Sequence, residues 1–120
     1  MKNIEYPISD RSYDFAVRIV KLHKYLNKTF KERILSSQIL RSGTSIGANV
    51  CEATRGQSKK DFISKMNIAL KESYETQYWL KLLKEGEYLT ESEFSSLYSD
   101  NQGISNIIAK IILTSKQSDI

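Results

Sequence analysis

The chain has 120 residues, enough for one domain over 1–120 and too few for two, and its 40% hydrophobic and 27% charged residues can build a core without staples. One cysteine, Cys51, and one histidine, His23, exclude an intrachain disulfide and a Cys/His zinc site, while one Pro and five Gly exclude collagen-like and linker-like sequence. The net charge of +4 hides an asymmetry: residues 1–60 carry twelve Lys/Arg against five Asp/Glu, a balance of +7, and residues 61–120 carry six against nine, a balance of −3.

Four amphipathic helical patterns follow one another. The first begins near Ser9 or Asp10, just after Pro7, and buries Phe15, Ile19, Leu22 and Leu26 at helical spacing. It stops near Asn27, and Thr29 with Glu32 three residues later forms a capping box for the next helix. The second runs from about Lys31 to Arg55, with Leu35, Ile39, Ser42, Ile46, Val50 and Ala53 inward. Its centre, Ser42-Gly43-Thr44-Ser45-Ile46-Gly47-Ala48, is costly, because a helix-interior Gly loses about 1 kcal/mol relative to Ala. Ile39, Ile46 and Val50 stay in phase across it, which predicts an unbroken helix kept small for a close neighbour. Gly56 then caps its C-terminus.

The third pattern starts at the N-cap Ser58 and carries Phe62, Met66, Ala69, Ser73, Thr76, Leu80 and Leu83 down to Gly86. Thr90 and Glu93 open the fourth, which continues through Phe94, Leu97, Asn101, Ile104, Ile108 and Ile111, with a bend possible at Gly103 and fraying from Lys116. Strand patterns are absent. Four helices joined by short loops predict an all-α fold, an antiparallel up-down-up-down four-helix bundle. The opening MKNIEYPISD holds no apolar run of signal-peptide length, and the most apolar stretch, Ile104–Leu113, is about half a membrane span. The expectation is a soluble, cytoplasmic protein without a membrane partner.

Catalytic patterns are weak. Gly43-x-x-x-Gly47 is neither a P-loop nor a dinucleotide fingerprint. Glu52, Glu72 and Glu75 lack the Glu-x-x-His partners of a di-iron bundle, and Arg41 is placed to meet Glu72 or Glu75 across helices two and three. Arg18-x-x-x-x-His23 has the loose spacing of HEPN ribonucleases, but residues five apart on a helix diverge by about 140°. Cys51 reads as an inert packed thiol, and Tyr74, Tyr78 and Trp79 as a cluster that packs in the bundle or at an interface, or that stacks bases. No catalytic residue, cofactor or metal is implied. The basic first half gives candidate phosphate contacts at Arg18, Lys21, Lys24, Lys28, Lys31 and Arg33. The opposite charges of the two halves also fit a head-to-tail contact between copies.

Three segments carry a family resemblance: Ser12-Tyr13-Asp14-Phe15-Ala16-Val17; Gln38 to Asn49 with Glu52-Ala53; and Ile68 to Leu80. They resemble the bacterial four-helix-bundle family that includes proteins encoded in 23S rRNA intervening sequences. One departure is Ala53, where many relatives carry Gly. The resemblance implies an antiparallel bundle that assembles as a homopentamer. It implies by analogy an association with RNA or DNA, as in the accessory protein of diversity-generating retroelements. Arg41, Asn49, Glu52, Glu72 and Glu75 match family positions and read as structural contacts. The function expected is therefore a non-enzymatic, oligomeric nucleic-acid-associated or scaffold protein. The alternatives are a protein-interaction module and a HEPN-like ribonuclease.

Overall fold

The computed structural model describes residues 7–117 and forms four helices: α1 (Ile8–Phe30), α2 (Ile34–Thr54), α3 (Lys59–Glu85) and α4 (Glu91–Gln117). Among the described residues there is no strand. Each helix packs against the next, and α1 closes the bundle against α4, so chain order is also the order around the bundle and diagonal helices do not touch. The predicted inward stripes supply the core: Phe15, Ile19, Leu26, Ile39, Ile46, Val50, Ala69, Leu80, Leu83, Ile104 and Ile108 are buried in one cluster. On α4 the last core position is Ile112, and Ile111 is half-buried beside it. Leu89, in the α3–α4 loop, also enters the core. No described helix is long and apolar enough to cross a membrane.

The predicted caps of α3 and α4 are present. Ser58 Oγ accepts from the Asp61 N–H at 3.0 Å. Thr90 and Glu93 bond reciprocally, Thr90 N–H to Glu93 Oε1 at 2.9 Å and Glu93 N–H to Thr90 Oγ1 at 3.1 Å.

The α1–α2 junction differs from expectation. Thr29 lies inside α1, which runs on to Phe30 and ends where Lys31 takes the left-handed conformation (φ 58°) and bonds back to Asn27 O. Glu32 alone caps α2: its carboxylate accepts from the N–H groups of Ile34, Leu35 and Ser36 at 3.1, 3.0 and 2.8 Å. Three otherwise orphaned donors and the positive end of the helix dipole meet one anion there. Glu32→Ala should lower stability by about 0.5–2 kcal/mol, the range for a lost N-cap. A denaturant midpoint shift at unchanged slope would measure it. Gly56 does not cap in the left-handed form either, since every positive-φ residue described is non-glycine: Lys31 and Glu87.

α2 is unbroken through its glycines, as the phase of its apolar residues predicts. A Cβ on Gly47 would lie 3.2 Å from the Ser12 carbonyl oxygen, and one on Gly43 would lie 2.8 Å from Ile19 Cγ1. Both glycines therefore let α1 and α2 approach closely. Gly103 has a different use and does not interrupt α4: a Cβ there would collide with the Arg11 guanidinium. Arg11 thereby reaches Asp100 (3.6 Å), which also pairs with Arg18 (3.0 Å). This clamp ties the α1–α4 seam between two grooves. One is lined by Lys21, Tyr25, Leu89 and Ser92, the other by Ile8, Ile107 and Ile111.

Candidate nucleic-acid interface

On α1 the spacing 21, 24, 28 places three cationic side chains on one line, on the side away from Phe15, Ile19, Leu22 and Leu26, and Arg18 sits on the flank between them and α4. Lys21, Lys24 and Lys28 are exposed along it, and Lys31 and Arg33 continue the charge around the end of the helix, also exposed. Arg18 stands at the α1–α4 seam rather than on this line: besides Asp100 it donates to Ser96 Oγ at 2.7 Å. Aromatic rings unnoticed in the sequence border the line. Tyr25 meets Phe30 edge to face at 5.9 Å, and Phe30 meets Tyr88 at 5.2 Å. Tyr25 and Phe30 are each 41% exposed. The signal missed was Tyr88, which lies far along the chain in the α3–α4 loop and reaches this end only through the topology.

The remaining candidates separate. Arg18 points to α4, whereas His23 Nδ1 sits 3.2 Å from the Ser36 carbonyl of α2, so the ribonuclease-like pair is not brought together. Asn27, donating to Ser36 Oγ at 3.0 Å, completes a structural network around that histidine. Cys51 is exposed rather than packed, because it lies off the inward stripe formed by Ile46, Val50 and Ala53. Among the described residues no group of His, Cys, Asp or Glu could hold a metal ion.

The polar contact across α2 and α3 forms as expected. Arg41 donates to Glu72 at 3.2 Å and, more closely, to Glu75, and the Trp79 indole donates to Glu75 at 3.0 Å. The Trp79 bond and Arg41 hold the Glu75 carboxyl below the usual carboxylate range. A carboxyl lowered in the folded state stabilises fully above its unfolded pKa, and that contribution fades as pH falls toward the folded value. The stability gap between the native chain and Glu75→Gln should therefore be widest near neutrality and close in acid, as thermal melts across pH would show. Elsewhere Asn49 donates to the Ser45 carbonyl at 2.8 Å and Glu52 pairs with Lys65 at 3.0 Å. Of the aromatic cluster on α3, Trp79 is half-buried against the core, while Tyr74 and Tyr78 are 53% and 56% exposed.

The Arg41–Glu72–Glu75–Trp79 contact is made by the segments that carry the resemblance, and the profile of the 23S rRNA-intervening sequence proteins matches residues 5–110. The chain belongs to that family. A crystal structure described as a protein of unknown function from the S23 ribosomal protein family, from Bacteroides thetaiotaomicron VPI-5482, is 52% identical. The match covers 88% of this chain and 98% of that one, with a TM-score of 0.87. No curated protein matches the chain. For this 23S rRNA-intervening sequence family protein, the fold is thus shared with a solved relative, and its motif residues Arg41, Glu52, Glu72 and Glu75 make contacts between α2 and α3.

Proposed function

We propose that this protein is a non-catalytic, oligomeric nucleic-acid-associated protein that holds an RNA or DNA backbone along the outer face of α1. The observation that carries this reading is the exposed line Lys21, Lys24 and Lys28, extended by Lys31 and Arg33 and bordered by Tyr25 and Phe30. Arg18 supports the line from its pairing with Asp100 and can turn to a phosphate at the cost of that pair. Lysines at a surface contact phosphates without reading sequence, so binding is electrostatic and salt-dependent. Replacing Lys21, Lys24 and Lys28 together by Glu should weaken binding at least about tenfold at low salt and flatten the log–log salt dependence by roughly 0.7 per lost phosphate contact on a single strand. A mobility-shift titration at two salt concentrations checks this. No binding of the native chain to RNA or DNA at low salt would remove the reading.

A second observation favours self-assembly. Tyr13, Val20 and Cys51 are exposed, and Ala16, Leu40 and Thr44 half-buried, beside the glycine contact of α1 and α2, and none carries a charge; Tyr13 is 67% exposed. An uncharged face of this kind suits a second copy of the chain, and the family resemblance implies five copies in a closed ring. Light scattering gives the count from the subunit mass of 13.8 kDa. A single-copy mass would instead favour a module that binds a different protein.

A further inference from the structure

The outer face of α3 carries a second line of a different character. Lys60, Ser64, Asn67, Lys71, Tyr74, Tyr78 and Lys81 recur at alternating steps of four and three, and all seven are exposed. They run about 32 Å along the helix at 1.5 Å per residue. The line carries no carboxylate until Glu85. The nearest acidic side chains, Glu72 and Glu75, are turned to Arg41 on α2. Tyr74 makes no ring contact within the described residues, and its neighbour Tyr78 meets Trp79 in a T-shaped contact at 5.0 Å. Two tyrosines more than half exposed, one turn apart, therefore present ring surface to solvent. Lys71 stands one turn before them and Lys81 one turn after.

Cations flanking two exposed aromatic rings match the chemistry of an unpaired nucleic acid strand, whose bases stack and whose phosphates pair with ammonium groups. A duplex buries its base faces and would meet only the three lysines. We infer that α3 binds single-stranded nucleic acid, with bases stacked on Tyr74 and Tyr78 and phosphates held by Lys60, Lys71 and Lys81. This inference rests on the nucleic-acid reading above but assigns a separate surface. Helices α1 and α3 are diagonal in the bundle, so the two lines face opposite directions.

The test is fluorescence anisotropy with a labelled oligouridylate or oligothymidylate of about 20 nucleotides, and with a duplex of equal length, at low salt. The Tyr74→Ala/Tyr78→Ala pair should bind the single strand about tenfold more weakly or worse, and the duplex within about twofold of the native chain. Tyr74→Phe/Tyr78→Phe keeps the rings and should retain single-strand binding. Both pairs change exposed side chains, and an unaltered melting curve confirms that folding is intact. Native-like single-strand binding by the alanine pair would overturn the inference. So would equal losses on single strand and duplex, or a changed mass in solution, which would make the line a contact between copies. If the α1 lysine variant loses all binding while the alanine pair loses none, the α1 reading stands and this one falls. If the native chain binds neither strand nor duplex, both fall.

Discussion

Ile19→Ala is expected to lower the free energy of unfolding by about 2–5 kcal/mol, a drop of roughly 10 °C or more in Tm at fixed protein concentration. Ile19 is fully buried in the core cluster, and its branched end fills the space over Gly43 of α2. Truncation loses the transfer energy of three carbons and leaves a cavity between two helices held at close range. The same contact predicts an unusual coupling. In the native chain, Gly43→Ala would place a Cβ 2.8 and 2.9 Å from Ile19 Cγ1 and Cγ2, and something must shift. In the Ile19→Ala background those two carbons are gone, and only the Cβ of residue 19 remains near, at 3.3 Å. The new methyl then fills part of the cavity and adds the helix preference of Ala over Gly, about 1 kcal/mol. Gly43→Ala should therefore destabilise the native chain and stabilise the truncated one. A double-mutant cycle by chemical denaturation reads that change of sign, and additive effects would contradict the close contact.

Gly47→Leu is expected to cost about 1–3 kcal/mol, or roughly 5–15 °C in Tm. The neighbour here is backbone: a Cβ at Gly47 would sit 3.2 Å from Ser12 O and 3.4 Å from Ser12 C. A side chain can change rotamer, but a carbonyl in a helix cannot retreat without moving α1. Gly47→Ala should be much milder, because its squeeze against Ser12 opposes the gain in helix preference. Differential scanning of the two variants beside the native chain separates overpacking from a general intolerance of change at this position.

The bundle was legible because its signals are local. Apolar periodicity located every buried face of α1 to α3, and the reciprocal Thr90–Glu93 pair marked the start of α4 without ambiguity. The unbroken α2 could be inferred from phase alone, since Ile39, Ile46 and Val50 bracket the glycines. The junctions were less legible. A left-handed Lys31 or Glu87 has no mark in sequence, because glycine is the residue that advertises that conformation. The Thr29–Glu32 spacing also resembled a capping box although Glu32 acts by itself. The candidate site divided in the same way. The α1 lysines were visible as a line, but the withdrawal of Arg18 by Asp100 joins residues at opposite ends of the chain. Likewise, the exposure of Tyr74 and Tyr78 and of Cys51 depended on a choice of face that a mixed polar and apolar pattern leaves undecided.

The agreement between chain order and spatial order bears on how the molecule is reached from the unfolded state. Three of its four helix–helix contacts join neighbours across short loops, so each can form with little loop-closure entropy. Only the α1–α4 seam must bring distant parts of the chain together, and its polar contacts there include Asp100 with its two arginines and Arg18 on Ser96. Such a topology has low contact order, which places folding in the microsecond-to-millisecond regime of helical bundles. The three-helix stack α2–α3 with either end helix can condense first, and docking of α1 against α4 then completes the circle. The seam that closes last is also the first to open, so slow amide exchange is expected to concentrate in α2 and α3 rather than in the two helices that meet across the clamp.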